Sequence, residues 1–415
     1  MALALVALAT GCGGGSVAKG DKSIEVLSLW GGSERDAFLN VTRAFTKRTS
    51  IDVRYTTARD FVPAIRTRLA AGNPPDVAIL PRPGVLIDFA RQGAVKDLRK
   101  MGLYESYMEA RYSPAWIELG TVDDNLYGIA AKANSKSVIW YRPDVFAKSG
   151  LTAPKTWDDL LRATRRLKTE GEIPWAQGAK DSWTLTDWFE NVYVRTAGPQ
   201  SYQRLFEGNL SFSDPSVKNA LMMMVRLLND QYLLGGVTGA LGTGFVDGIG
   251  QVFGRDPKAV LYMEGGFVGG IATQQVNTSL RPGKTIAFFP WPTIDPKYGS
   301  PLVGGGDLAV AFRDDLDIRE FLLYVSSAEA GKIWVSTGAI VSPNKQVPEE
   351  SYPNNLVRSE ARQVTNAEVF RFDGSDLMPG TLADDWGATL QSVLQNPGNV
   401  DSLLATFQSK AQRTY

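Results

Sequence analysis

The chain of 415 residues contains no histidine and a single cysteine, Cys12. The absence of histidine excludes Ser-His-Asp and Cys-His nucleophile systems, and it removes the usual ligands of zinc. A single cysteine also excludes a disulfide within the chain. Catalysis by carboxylates is the main hydrolytic chemistry that this composition still permits.

Excess charge of either sign is also absent. Lys and Arg together number 44, Asp and Glu together number 44, and the formal net charge is zero. The one basic run, residues 162–168, lies on a predicted helix. Because nucleic-acid binding depends on clustered basic residues, we expect no nucleic-acid partner.

The N-terminal residues 1–10 form a short apolar run, followed by Gly11 and Cys12. The run is shorter than the ~20 residues that cross a bilayer, and its length is typical of a signal peptide. The four residues ending at Cys12 resemble the lipobox of bacterial lipoproteins, although no basic segment precedes them. We therefore expect residues 1–11 to be removed and Cys12 to carry lipid that anchors the chain outside the cytoplasm. The alternative is a Gly-rich terminus with an incidental thiol.

Beyond residue 22, apolar strand patterns alternate with amphipathic helix patterns. Residues 24–29, 51–55 and 76–80 each read as a strand, and helix patterns lie between them. This alternation is typical of parallel β/α units, so the sequence predicts an α/β fold. The chain is longer than one hydrophobic core usually extends, which predicts two domains or lobes.

Aromatic residues are abundant, with 10 Trp, 14 Tyr and 18 Phe. Some of the tryptophans stand beside polar residues rather than inside an apolar pattern. Flat rings next to hydrogen-bonding groups suit a ligand that has both C–H faces and hydroxyl groups. The tryptophans in this class are Trp30, Trp175, Trp183, Trp188 and Trp291.

Four segments together resemble one protein family, the extracellular solute-binding family 1 of bacterial carbohydrate ABC importers. They are AAGNPPDV (70–77), LYGIA leading to WY (126–141), PKTWDDL (154–160), and SSAEAGK followed by GAIVSPN (326–344). The resemblance extends over roughly residues 23–415. Within the family, GGGD (304–307) and FDGSDLMP (372–379) are similar to the branch that binds α-glucosides and related oligosaccharides.

The resemblance implies a two-lobed, periplasmic-binding-protein-like α/β fold of the type II kind, with strands that cross between the lobes. It also implies a sugar in the cleft, lobe closure by hinge bending, delivery to a membrane permease, a monomeric chain and no cofactor or metal. Hinges are expected near 130–133, 299–304 and 339–343. The predicted divisions are a signal peptide (1–11), a flexible tether (12–22), lobe 1 (23–131 plus 304–339) and lobe 2 (132–303 plus 340–415).

Ligand contacts in such folds come mainly from loops at the carboxyl ends of strands. On that basis the candidate ligand-binding residues are Trp30, Gly32, Glu34, Asp60, Arg82, Asn134, Trp183, Asp187, Gly265, Gly266, Phe267, Gly306, Asp307 and Asp373. Strand alternation places Lys132, Asn134 and Lys136 on one face, and solvated lysines are the expectation there.

Two other functions remain open at this point. The receptor would bind a polyamine or amino acid if its site were dominated by charges of one sign. An extracellular carbohydrate-active enzyme would need a carboxylate pair, for which Asp373 and Asp376 are the candidates. Each candidate residue also has an ordinary structural explanation, such as a buried tryptophan or a helix-capping aspartate.

Overall fold

The computed structural model describes residues 22–58 and 60–415. Cys12, the signal peptide and nearly all of the predicted tether lie outside the described residues. Among those described, no helix is both long enough and apolar enough to cross a membrane.

The described chain contains both short and long strands. In chain order they are β1 Ser23–Ser28, β2 Asp52–Thr57, β3 Val77–Leu80, β4 Thr121–Val122, β5 Asn125–Leu126, β6 Ile129–Ser135, β7 Val138–Tyr141, β8 Leu261–Met263, β9 Ala287–Pro290, β10 Leu302–Ala311 and β11 Phe370–Phe372.

Helices cover most of the remainder. In chain order they are α1 Gly32–Thr49, α2 Phe61–Ala70, α3 Pro83–Arg91, α4 Glu105–Glu109, α5 Pro114–Leu119, α6 Pro143–Lys148, α7 Trp157–Thr169, α8 Trp183–Thr196, α9 Pro199–Phe206, α10 Pro215–Met224, α11 Gly236–Gly242, α12 Phe245–Phe253, α13 Phe267–Ile271, α14 Leu316–Val325, α15 Ala328–Val335, α16 Asn355–Asn366, α17 Gly374–Leu377, α18 Leu382–Gln395 and α19 Val400–Thr414. A π-helical turn, Ala272–Val276, continues α13.

A six-stranded mixed sheet forms the centre of the first lobe. Its strand order is β11-β10-β3-β1-β2, and β6 also pairs with β10. Strand β1 is parallel to both β2 and β3, whereas β10 is antiparallel to β3 and β6. Strands β3 and β10 are buried along their whole length, because helices cover both faces of a sheet built from β/α units.

A separate three-stranded antiparallel sheet, β8-β7-β9, belongs to the second lobe. Two large hydrophobic cores accompany the two sheets. Residues from 24–133 and 308–341 supply most of the first core, and residues from 139–303 and 378–411 supply the second. Tyr352, Ala361 and Phe372, which lie in the range predicted for lobe 2, pack in the first core.

The segments predicted to cross between the lobes lie side by side. Strand β6 is hydrogen-bonded to β10 on one edge, and on the other edge Ala133 exchanges backbone hydrogen bonds with Val341. The three predicted hinge regions therefore lie in or next to these hydrogen-bonded segments. The hinge motion itself and the lobe boundaries stay predictions.

Candidate functional site

Strand β6 presents a row of polar side chains on one face. Because side chains alternate along a strand, Lys132 and Asn134 share a face, and Lys136 just beyond the strand continues the row. All three are buried, so the expectation of solvated lysines is wrong. The carboxylate partners of the two lysines come from distant parts of the chain, which a local pattern does not reveal.

The glycines of β10 make room for this row. Gly305 lies opposite Asn134 in the ladder, and a β-carbon there would come within 2.9 Å of Cε of Lys136. Gly306, a candidate ligand residue, lies on the other face, where a β-carbon would come within 2.8 Å of the Trp116 ring. Gly305 is therefore the glycine that borders the polar row.

Candidate residues of the first lobe surround the ammonium group of Lys132. Its Nζ lies 2.8 Å from Oε1 of Glu34 and 3.3 Å from Oδ2 of Asp307. The indole Nε1 of Trp30 donates to the same Asp307 oxygen at 2.8 Å. Burial alone would lower the pKa of Lys132, but its attraction to Asp307 and Glu34 outweighs burial and raises that pKa.

The ring of Trp30 is part of the core in this conformation. It is 1% exposed and packs edge-on against Phe38 and Trp334. Trp175, Trp188 and Trp291 are also buried and form a chain of edge contacts in the second lobe. In this conformation these four rings are not open faces, whereas Trp183 is half-buried, and a ligand contact by Trp30 stays a prediction.

Carboxyl groups of the second lobe surround the ammonium group of Lys136. Its Nζ lies 3.2 Å from Oδ1 of Asp187 and 3.4 Å from Oδ2 of Asp376, and it also contacts Asp373. Burial disfavours the charge on Asp373, but Lys136 outweighs burial and holds the pKa of Asp373 well below its ordinary value. Burial, reinforced by Asp373, raises the pKa of Asp376 to about 7.

Several buried oxygens around Lys136 have no partner. Among the described residues no N–H or O–H group donates to Oδ1 of Asn134, Oδ2 of Asp187 or either carboxyl oxygen of Glu264. Burial raises the pKa of Glu264, and the adjacent Asp187 carboxyl raises it further. The two carboxyls are hydrogen-bonded to each other only if one of them keeps a proton. Glu264 is absent from the predicted set, although it begins the loop that holds Gly265, Gly266 and Phe267.

Three half-buried aromatic rings lie beside these oxygens. The Trp183 ring centroid is 5.0 Å from that of Phe245 and 6.2 Å from that of Phe267. Trp183 and Asp187, both in the predicted set, are one turn apart on α8, and Nζ of Lys136 lies 5.8 Å from the Trp183 centroid. We call Trp183, Phe245 and Phe267 the aromatic face. Phe245 has no place in the predicted set because its segment shows no clear pattern.

The glycines of this loop have separate packing roles. A β-carbon on Gly265 would collide with the Phe267 ring, and one on Gly266 would collide with the carboxyl group of Glu360. The Gly266 N–H donates to the carbonyl of Ser135 at 2.8 Å. The loop is thereby fixed to the end of β6.

Arg82 and Gly32 connect the lobes to each other. Nη1 of Arg82 lies 2.8 Å from Oδ1 of Asp384, and its Nε is 3.7 Å from Oδ1 of Asp376. A β-carbon on Gly32 would overlap the side-chain oxygen of Gln275 in the π-helical turn. Asp60 is exposed at the start of α2 and makes no capping hydrogen bond there. Asp60 is also absent from the contacts of both lysines.

Comparison with known proteins agrees with this architecture. A family model described as bacterial extracellular solute-binding protein matches residues 31–332. The osmoprotective compounds-binding protein GgtB of Synechocystis sp. is 33% identical over 381 residues, which cover 90% of this chain and 89% of GgtB. The alpha-glucosides-binding periplasmic protein AglE of Rhizobium meliloti is 29% identical over 376 residues, which cover 87% of this chain and 81% of AglE.

Solved structures share the fold. The bacterial solute receptor AcbH superposes with a TM-score of 0.84 at 18% identity, covering 94% of this chain and 98% of AcbH. A chitin oligosaccharide binding protein superposes with a TM-score of 0.80 at 19% identity, covering 94% of this chain and 98% of its own. At these identities the similarity establishes the two-lobed fold.

Proposed function

Because this chain belongs to the bacterial extracellular solute-binding protein family, we propose that it is the extracytoplasmic binding component of an ABC importer for a carbohydrate. An oligosaccharide or α-glucoside is the proposed solute, and the cleft around Lys132, Asn134 and Lys136 is the proposed site. The permease of the importer is the proposed partner.

The observation that carries this proposal is the aromatic face beside unpartnered buried oxygens. A pyranose ring has an apolar C–H face that packs on flat aromatic rings, and its edge carries hydroxyl groups. Hydroxyl donors on the edge of the sugar would satisfy Oδ1 of Asn134 and the carboxyl oxygens of Asp187 and Glu264. One ligand of this kind complements both parts of the site.

The finer assignment to α-glucosides rests on the similarity to AglE and GgtB, by name an α-glucoside binder and an osmoprotectant binder. Both cover more than four-fifths of this chain. The motifs at 304–307 and 372–379 also lie at the site, since Asp307 pairs with Lys132 and both Asp373 and Asp376 pair with Lys136.

The proposed cycle uses the adjacent crossing segments as hinges. Ligand contacts from both lobes favour the closed arrangement over the open one, and the closed monomer then docks on the permease. Attachment through lipid on Cys12 would hold the protein near that permease. The sugar is bound and released without chemical change.

A thermal-shift screen tests the function. The purified protein is heated with maltose, sucrose, trehalose and larger oligosaccharides, with amino acids and polyamines alongside. A ligand specific for the folded state, present at 100 times its Kd, adds about 2.7 kcal/mol to the free energy of unfolding. We expect stabilisation by one sugar series, recovered intact by chromatography. Stabilisation only by an amine or amino acid would overturn the sugar assignment, and turnover of the sugar would establish an enzyme.

A further inference from the structure

The unpartnered buried side-chain atoms of the candidate site are all hydrogen-bond acceptors. Among the described residues, those at the site are Oδ1 of Asn134, Oδ2 of Asp187, and Oε1 and Oε2 of Glu264. The unpartnered donors belong to other residues: most are core residues, such as Trp157, Trp334 and Trp386 with their indole N–H groups, and the others are Nε of Arg111 and of Arg195. A ligand that completes this site must therefore bring donors.

Carboxyl groups also outnumber cations around these atoms. Lys136 is shared by Asp187, Asp373 and Asp376, and the neighbouring Glu190 and Glu264 add two more buried carboxyls. The guanidinium group of Arg82 is a second cation near Asp376, at 3.7 Å, but it lies closer to Asp384, at 2.8 Å. Glu190 accepts hydrogen bonds from the N–H groups of Gly374 and Ser375, so both of its carboxyl oxygens already have partners. Asp187 and Glu264 are the carboxyls with oxygens left over.

Even one proton shared between Asp187 and Glu264 leaves acceptors open. That proton satisfies one oxygen of each carboxyl group, and one oxygen of Glu264 and Oδ1 of Asn134 still lack a donor. Both Asp187 and Glu264 are 0% exposed, so solvent does not screen their charge. An anionic group placed beside them would lose its hydration without gaining a donor.

We infer that the Asp187–Glu264 pair is a specificity-determining element that admits neutral, hydroxyl-rich saccharides and rejects acidic ones, such as uronic acids and sugar phosphates. This inference rests on the proposed sugar-binding function and narrows its substrate class. Asp187 and Glu264 achieve the selection together, because the pair supplies acceptors for hydroxyl donors and offers no free donor to an anion.

Calorimetric titration with matched ligands tests the inference. The probes are maltose, maltose with its non-reducing C6 oxidised to a carboxylate, and the primary amide of that carboxylate, with the same three derivatives of trehalose. The amide has the size of the carboxylate without its charge. We expect a parent sugar and its amide to bind the wild-type protein within about tenfold of each other, and the carboxylate to bind at least about 100-fold more weakly than the amide.

Two variants test whether Asp187 and Glu264 cause the difference in affinity between amide and carboxylate. Glu264→Gln and Asp187→Asn each replace one carboxyl group of the pair by an amide of nearly the same shape, which gives an anion an N–H donor, and each is expected to narrow the ratio of amide to carboxylate affinity at least tenfold. Asp315→Asn is the matched control, since Asp315 is buried but caps α14 in the first lobe, and its ratio should equal that of the wild type. Circular dichroism and thermal unfolding confirm that each variant is folded.

Three results would overturn the inference. Equal binding of amide and carboxylate to the wild-type protein would do so while leaving sugar binding intact, as would an unchanged ratio in both site variants. Absence of binding by every saccharide, with an amino acid or polyamine bound instead, would remove the proposed function and this inference with it.

Discussion

The ammonium group of Lys136 lies 3.2 Å from the carboxylate of Asp187 and joins the crossing strand to the second lobe. Four residues earlier, Lys132 makes the equivalent contact to Glu34 of the first lobe at 2.8 Å. Asn134 stands between them on the same face, with its side-chain oxygen unpartnered. This segment thus carries one cation for each lobe, and the proposed ligand position at Asn134 lies between the two cations.

Replacing Lys136 with methionine should destabilise the protein strongly. The change leaves Asp187, Asp373 and Asp376 without their shared cation, and loss of one partner from a buried ion pair costs about 3–5 kcal/mol. Denaturant unfolding measures the loss. Lys218→Met is the control, because its pair with Asp401 is exposed and should contribute about 1 kcal/mol or less. Equal losses in the two variants would contradict the assigned network.

Substitution of Trp183 should weaken ligand binding, whereas substitution of Trp188 should lower stability. Trp183 lies on the half-buried aromatic face, so Trp183→Ala should weaken sugar binding at least about tenfold with a modest change in Tm. Trp188 is fully buried against Trp175 and Trp291, so Trp188→Ala should cost about 3–5 kcal/mol of stability. Titration calorimetry and thermal unfolding on both variants check this. Unchanged affinity in Trp183→Ala would refute the role given to the aromatic face.

Gly305→Ala should disturb the polar row of β6. The new β-carbon would approach Cε of Lys136 to 2.9 Å, and the carboxylates that hold this lysine limit its movement. We expect a loss of about 1–3 kcal/mol, as in other overpacked sites. Gly250→Ala is the matched control, since nothing lies within 4 Å of its β-carbon and alanine favours the helix by about 0.5–1 kcal/mol. Equal free energies of unfolding for Gly305→Ala and Gly250→Ala in denaturant titrations would contradict the packing described here.

Stability should fall as the pH rises from about 5 to 8 because of Glu360. Burial raises the pKa of Glu360 from 4.5 to about 8, so between these values the folded state holds a proton that the unfolded state has released. Stability then falls by up to about 1.4 kcal/mol per pH unit. Glu360→Gln keeps an acceptor for the Ser135 N–H and removes this dependence.

The measurement for Glu360 is the difference in Tm between variant and wild type. It should favour the variant more at pH 8 than at pH 5. Glu320→Gln, which changes an exposed carboxylate, is the control and should give the same difference at both values. A pH-independent difference for Glu360→Gln would show that the buried carboxyl does not keep its proton.

Local signals in the sequence predict much of the fold correctly. The T-x-x-D spacing of Thr156 and Asp159 indicates a capping box, and Asp214 followed by Pro215 indicates a helix start; the structure has both, at α7 and α10. The S-x-x-D spacing of Ser33 and Asp36 indicates a helix start at Ser33, but α1 begins at Gly32. The glycine-rich residues 235–250 show no clear apolar pattern, yet they contain α11 and most of α12. These differences arise where glycine obscures the apolar periodicity.

The site is harder to predict because its partners are far apart in the chain. Glu34 lies 98 positions before Lys132, and Asp373 lies 237 positions after Lys136. Strand alternation gives the common face of the two lysines but not their burial. Polar neighbours in sequence also suggest exposed tryptophans, yet on α8 the half-exposed Trp183 and the buried Trp188 occupy different faces.

The crystal structure of the complex with the disaccharide that binds most tightly tests the central claim most directly. We predict a pyranose face on Trp183 and Phe267, with hydroxyl groups within hydrogen-bond distance of Asn134, Asp187 and Glu264. A sugar bound elsewhere, or bound in the cleft without contact to these residues, would contradict the account.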